Sequence, residues 1–399
     1  MDKKIIKVVW ICHFTNAEIQ SLLPLWKPKN EFASWIPNML KGFEDKSNIE
    51  IHVISPHEYL KRSTKLTLRN IKYYFIPYGI PFCHRHWPRF LRYDLYSNFF
   101  CFRRKMKHIV EGIQPDLINL IGTENINYSF SVFDFAQKYP VLVTIQGFIS
   151  QFKDELKLSA VLRKVISIEE KILRSFTYFC GEQDSSIYIA AYNFNHVFFR
   201  LYFPVNEGLI SHIRKVDEKY DCIYFGSLTK TKGVEDFIMV IAEIKKIKPR
   251  VKACIVGGGN PYPFCSLAEQ LNCFTNIEFI GFVKSQKELF EYVKSSKVFL
   301  APPYIERLSL TIREAMFLKV PVVAYATGGI PFINKFDENI YLVDTGDYKS
   351  MAKKALELLN DDKKRNNLAE NAYKYAMNEF SLFVNVERLT SAYYMILNK

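Results

Sequence analysis

Short apolar runs alternate with amphipathic stretches of helix length along almost the whole chain, and few architectures accept that alternation. The runs Ile5–Ile11, Ile49–Ile54, Tyr73–Ile76, Leu117–Ile121, Val141–Ile145, Tyr178–Cys180 and His196–Tyr202 read as strands. A second set follows at Cys222–Phe225, Lys252–Val256, Ile277–Ile280, Val298–Ala301 and Val320–Ala324. Continuous apolar runs suit strands buried on both faces, and the helices between them supply the crossovers of a parallel sheet. Phe203-Pro-Val-Asn-Glu-Gly208 separates the two sets with a breaker at each end and reads as a linker. The pattern predicts an α/β protein of two domains, 1–204 and 205–379, with a helical, aromatic-rich tail over about 380–399. With 399 residues, 49% of them hydrophobic, the chain can bury two cores and is not a disordered polymer. No run approaches the ~18 apolar residues of a spanning helix. Met1-Asp-Lys-Lys-Ile5 leads straight into a strand without a cleavage pattern. Eight cysteines without a C-x-x-C pair read as reduced core thiols, so a cytoplasmic protein is expected.

The segment Tyr304-Ile-Glu306-Arg-Leu-Ser309-Leu-Thr-Ile-Arg-Glu314 sets two carboxylates eight positions apart, between one strand-like run and a helix feeding the next. Ser309 reads as the N-cap, which leaves the amides of Leu310, Thr311 and Ile312 without intrahelical partners. A helix start at the carboxyl edge of a parallel sheet favours a phosphate or another anion. Glu314 then lies roughly 7 Å into the helix, while Glu306 stays on the loop. Spacing alone leaves two readings, a solvated pair of glutamates or a pair facing a ligand.

Other segments give that spacing a context. Ile223-Tyr-Phe-Gly226-Ser227-Leu-Thr-Lys-Thr-Lys232-Gly233 is an apolar strand, a glycine turn and a basic residue before a helix. Val256-Gly-Gly-Gly259, Phe279-Ile-Gly281-Phe-Val and Ala326-Thr-Gly-Gly329-Ile-Pro331 follow in order. Across about 220–345 this arrangement resembles the retaining GT-B glycosyltransferases of family 4, with their E-x7-E signature. The resemblance implies two Rossmann-like doubly wound parallel-sheet domains facing a central cleft. The acceptor would bind the first domain and the nucleotide sugar the second, with the 380–399 helix crossing back onto the first. It implies donor-binding roles for Gly226, Ser227, Lys232, Glu306, Leu308, Ser309, Leu310, Thr311 and Glu314. Glu314 would bind the ribose, Glu306 would contact the transferred sugar or hold its loop, and Lys232 would face the diphosphate. Gly328 and Gly329 read as a tight backbone turn. No Asp-x-Asp is placed to hold a metal, so neither metal nor other cofactor is expected beside a UDP- or GDP-sugar co-substrate.

The chain departs from the family pattern in places. Ser227 stands where a second basic residue is common, which leaves more of the diphosphate charge to Lys232, with Arg307 or Arg313 as helpers. Arg313 reads more readily as a solvated face residue. Gln146, in Thr144-Ile-Gln146-Gly147, stands where relatives carry a histidine. It can hydrogen-bond a sugar hydroxyl but cannot act as a base, so the leaving phosphate would take the acceptor proton. His13 reads either as a cleft residue or as a satisfied structural histidine.

The formal net charge is +13, and between Lys61 and Lys107 twelve Lys or Arg face Asp94 alone. Aromatic residues interleave with them, in His84-Arg-His-Trp-Pro-Arg-Phe-Leu-Arg-Tyr93 and Phe99-Phe-Cys-Phe-Arg-Arg-Lys-Met-Lys107. That mixture suits an anionic membrane surface or a solvated face with rings turned inward; nucleic acid is the weakest of its readings. His84 and His86 lack an evident third ligand. Three function classes fit the whole: a retaining transferase extending a cell-surface glycan or lipid-linked acceptor, an epimerase-like sugar-nucleotide enzyme, and a catalytically silent sugar-nucleotide-binding partner.

Overall fold

The computed structural model describes residues 5–24, 35–57, 59–77, 93–153, 159–182, 185–214 and 216–398. The chain divides into two compact units, Met1–Phe203 with Leu382–Lys399, and Pro204–Ser381.

The first unit is built on eight strands: β1 Ile6–Ile11, β2 Ile49–His57, β3 Thr64–Leu68, β4 Ile71–Pro77, β5 Leu117–Ile121, β6 Val141–Thr144, β7 Tyr178–Gly181 and β8 Val197–Arg200. Their order is β3-β4-β2-β1-β5-β6-β7-β8. Every pairing is parallel except β3 with β4. β1 and β5 are buried nearly throughout, as strands covered on both faces must be. One core lies against each face, centred on Val8, Trp10 and Phe43 on one side and on Val9, Met106 and Ile172 on the other. The antiparallel edge strand β3 was not expected. Its Thr-Lys-Leu-Thr-Leu alternates intermediate and exposed positions, so no continuous apolar run announces it.

The helix Leu382–Leu397 packs into this first core through Val386, Leu389, Tyr393 and Ile396. The Tyr393 hydroxyl is fully buried. It accepts from Trp10 Nε1 at 2.8 Å and from Asn119 Nδ2 at 3.0 Å, while Thr144 Oγ1 donates to Asn119 Oδ1 at 2.7 Å. Strands from three places in the chain are thus tied to one phenol.

The second unit holds six parallel strands: β9 Tyr220–Phe225, β10 Ala253–Val256, β11 Ile277–Gly281, β12 Ser296–Ala301, β13 Val322–Tyr325 and β14 Tyr341–Val343. Their order is β11-β10-β9-β12-β13-β14. Successive strands run outward from β9 in one direction and then restart from β12 in the other. The doubly wound topology therefore reverses between β9 and β12, where such sheets open a crevice at their carboxyl ends. β14 has only three residues, too short for an apolar run to mark it. No helix among the described residues is long and apolar enough to cross a membrane.

Candidate active site

Two segments leave the carboxyl ends of β9 and β12, and they brace each other. The N–H groups of Tyr304 and Ile305 donate to the Thr231 carbonyl at 2.9 and 3.3 Å. Gly233 permits this approach: its φ is +74°, and a Cβ there would lie 1.7 Å from the Pro302 oxygen. Lys232 ends a short 3-10 turn, Lys230–Lys232, and its ammonium meets Glu306 with Nζ to Oε2 at 2.7 Å. The other Glu306 oxygen accepts the N–H of Arg307 at 3.1 Å. Gly328, at φ +55°, lies so close behind that a Cβ would stand 1.7 Å from the Glu306 carbonyl, and the Gly329 N–H donates to the Arg307 carbonyl at 3.0 Å. Three motifs far apart in sequence thus converge on Glu306, one at its carboxylate and one behind its backbone carbonyl. Of the two roles weighed from sequence, the bond to the Arg307 N–H is the loop-holding one, and the second oxygen meets the Lys232 cation.

The helix Leu310–Phe317 starts beside this pair with Ser309 in the cap position, yet no side chain caps it. Ser309 Oγ bonds instead to Thr311 Oγ1 at 2.8 Å. The first-turn amides of Leu310 and Thr311 keep the positive end of the helix unsatisfied by side chains. Leu308 is buried just before it. Gly226 follows β9 with its N–H on the Val256 carbonyl at 3.0 Å, and Ser227 is exposed. Glu314 is 5% exposed, and Gln286 Nε2 donates to its Oε1 at 3.3 Å. Burial pushes its carboxyl up to about 7, opposed by the Gln286 bond and the Arg313 charge.

Arg313 departs from expectation. It is 2% exposed, donates to the carbonyls of Leu308 at 2.7 Å and Ser309 at 3.5 Å, and lies over the Phe380 ring. The physical reason is that every residue from Ile312 to Phe317 is buried, so the helix has no solvated face there. Arg313 shapes the loop. Asp236, buried on the helix Val234–Ile247, was also not foreseen. It accepts from the hydroxyls of Tyr304, at 2.8 Å, and Tyr325, anchoring the Glu306 loop from below.

Gln146 belongs to the first unit, at the carboxyl end of β6. Its Oε1 accepts from Trp35 Nε1 at 2.8 Å, and its Nε2 donates to Glu124 Oε1 at 2.9 Å. Glu124, after β5, escaped sequence reasoning. Asn125 Nδ2 and His13 Nδ1 lie 3.1 Å apart, a partnered histidine.

The basic segment is only partly described, and His84, His86 and the rest of 78–92 lie outside the described residues. Within the described part, Arg69 pairs with Glu18 and Glu44, Lys72 with Glu50, and Arg103 with Asp134. Arg103 is held by both Asp134 oxygens and covers the Phe130 ring, so it is not a free surface charge. Tyr96, Phe100, Arg104, Lys105 and Lys107 are exposed.

A family described as "Glycosyl transferases group 1" matches residues 207–375, the span that carries the Lys232–Glu306 pair. Residues 207–375 form a glycosyl transferases group 1 domain. N-acetyl-alpha-D-glucosaminyl L-malate synthase of Bacillus anthracis is 26% identical over 175 residues, 44% of this chain and 45% of that protein. CapM of Staphylococcus aureus, a capsular polysaccharide biosynthesis glycosyltransferase, is 26% identical over 46% of this chain and 50% of its own. The chain thus spans about half the length of these curated relatives. A longer match, 21% identical over 85% of this chain and 89% of the relative, is the N,N'-diacetylbacillosaminyl-diphospho-undecaprenol alpha-1,3-N-acetylgalactosaminyltransferase of Campylobacter jejuni. Among solved structures, sucrose-phosphate synthase of Thermosynechococcus elongatus has a TM-score of 0.71 at 14% identity, covering 98% of this chain and 99% of that one. Anabaena HepE in complex with UDP has a TM-score of 0.65 at 14% identity, covering 98% and 100%. The group 1 domain and the unit before it share the GT-B fold with these structures.

Proposed function

We propose that this chain is a retaining glycosyltransferase of family 4. It moves a sugar from a UDP- or GDP-sugar to a hydroxyl of a cell-surface glycan or lipid-linked acceptor. The observation that carries this reading is the Lys232–Glu306 pair, set beside uncapped helix amides and Glu314 at the strand-order reversal. As the bond between anomeric carbon and diphosphate breaks, its electron pair goes to the diphosphate. Lys232 and the amides of Leu310 and Thr311 stabilise that charge, so no divalent metal is needed. Glu306 faces the transferred sugar and offsets positive charge at the anomeric carbon. Glu314 accepts hydrogen bonds from the ribose. Gln146 bonds an acceptor hydroxyl, and the leaving phosphate takes the proton.

The names of the relatives lend support: CapM works in capsule biosynthesis, the Campylobacter transferase is named for an undecaprenol-linked diphosphosugar, and HepE was solved with UDP and with UDP-glucose. A peripheral position at the inner membrane face is part of the proposal. Phe100, Arg104 and Lys107, at i, i+4 and i+7, put one ring and two cations on a single exposed helix face. Incubation with a panel of UDP- and GDP-sugars and octyl glycosides, with and without EDTA, tests the reading. A retained-configuration product in both arms is expected. Isomerised donor, binding without turnover, or activity lost to EDTA and restored by manganese would each replace it.

A further inference from the structure

Glu169 lies in the middle of the helix Ala160–Ser175 and is 0% exposed. It occupies the apolar stripe of that helix, between Val165 and Ile172, where a carboxylate costs several kcal/mol unless its oxygens are satisfied. Four neutral donors satisfy it. Thr123 Oγ1 and the Ile149 N–H reach Oε2 at 2.9 and 3.2 Å, and the Ser150 N–H reaches Oε1 at 2.8 Å, joined there by the Ser150 hydroxyl. These donors come from two loops, the one after β5 and the one after β6. An apolar side chain there would leave those donors buried and unmet, at about 1–3 kcal/mol each. What the carboxylate adds is direction, because two loops must bring four donors to one point.

The same two loops carry Glu124, next to Thr123, and Gln146, three residues before Ile149. Those side chains meet at 2.9 Å. Gly122 makes room for the meeting: at φ +83°, a Cβ there would lie 2.5 Å from Glu124 Oε1 and 2.6 Å from Gln146 Nε2. The Trp35 indole fixes the other end of the Gln146 amide.

We propose that Glu169 is a positioning residue for acceptor recognition, holding the loops after β5 and β6 so that Glu124 and Gln146 form a preformed pair for sugar hydroxyls. This rests on the glycosyl-transfer reading. Glu124 accepts a hydrogen bond from an acceptor hydroxyl, and the second N–H of Gln146 donates to a neighbouring oxygen. The recognised ligand is a polyhydroxylated acceptor.

The test uses the full chain, UDP-glucose and UDP-N-acetylglucosamine as donors, and octyl glucoside and octyl N-acetylglucosaminide as acceptor probes. Glu169→Gln removes the charge and turns an N–H₂ toward the donors. The acceptor KM should rise about tenfold or more, as one misplaced hydrogen-bonding group implies, with UDP affinity unchanged. Glu169→Asp should recover part of the loss. On a Glu124→Gln background, Glu169→Gln should add less than about twofold, since residues acting through one another are non-additive. If Glu169→Gln does not fold, Thr123→Val removes one donor only and should raise the acceptor KM in the same direction. Effects that multiply in the double variant, or an unchanged acceptor KM, overturn the proposal. A parent that binds and turns over no nucleotide sugar sinks the glycosyl-transfer reading, and this inference with it. A parent that transfers sugar while its variants keep the parental acceptor KM sinks the inference alone.

Discussion

Replacing Glu314 by Gln isolates the cost of burying a single carboxylate. The folded chain holds this proton far more tightly than the unfolded chain does, about 7 against 4.5. The stabilisation that goes with the bound proton is complete below the unfolded value and is lost as pH rises through the folded one. At ~1.36 kcal/mol per unit the full loss is about 3 kcal/mol, of which about 2.5 falls between pH 5 and pH 8. Gln keeps the shape and still offers Oε1 to Gln286, but it has no proton to lose. Urea unfolding of parent and Glu314→Gln at both pH values should show the variant gaining about 2–3 kcal/mol on the parent from pH 5 to pH 8. Subtraction at each pH removes every other titrating group. Ligand binding adds a second readout. On the proposed ribose contact the hydroxyls donate to the ionised form, so parental affinity for UDP should fall about 30-fold from pH 8 to pH 5.5 beyond any fall in the variant. Parallel pH dependences for the two proteins, in both stability and UDP affinity, would refute the reasoning.

Lys232→Ala leaves Glu306 without its cation and, on the proposed mechanism, the leaving diphosphate without a stabilising charge. Turnover should drop about 10²–10³-fold while UDP binding weakens by about tenfold, read by steady-state kinetics and calorimetry. Reversing Arg104, Lys105 and Lys107 to Glu should release the protein from anionic vesicles and leave UDP affinity intact, at about 1 kcal/mol per engaged cation. Equal co-sedimentation of the parent with neutral and anionic vesicles would return that face to solvent. Tyr393→Phe strips the shared acceptor from Trp10 and Asn119, two buried donors, and should cost about 1–3 kcal/mol for each in urea unfolding. A loss below about 0.5 kcal/mol would mean the network is slack.

Much of this was legible in the chain because apolar continuity and ordered motifs are local signals. Both sheets and the loops carrying Lys232, Glu306 and Gly328 came from them. What escaped depends on which way a side chain faces after packing. Arg313 read as solvated because the sequence does not tell that its short helix is enclosed on all sides. Glu169 did leave a signal, a carboxylate at an apolar-stripe position between Val165 and Ile172, masked by the adjacent Glu170. Glu124 and Asp236 left none, since their partners Gln146, Tyr304 and Tyr325 are distant in sequence. The strand β3 was missed because it sits at an edge with little to bury.

The bond between Trp10 and Tyr393 has a consequence in time. The first unit is interrupted by all of 204–381, so a ribosome finishes the second unit before it has made the helix that completes the first. At about 5–20 residues per second, about 10–40 s separate the emergence of Phe203 from that of Leu397. Through that interval the core that holds Trp10, Met39 and Phe43 lacks Val386, Leu389, Tyr393 and Ile396, with the Trp10 and Asn119 donors unmet, on a nascent chain whose younger half is already closed. A premature stop within 382–397 therefore damages the unit that was translated first, not the one just completed.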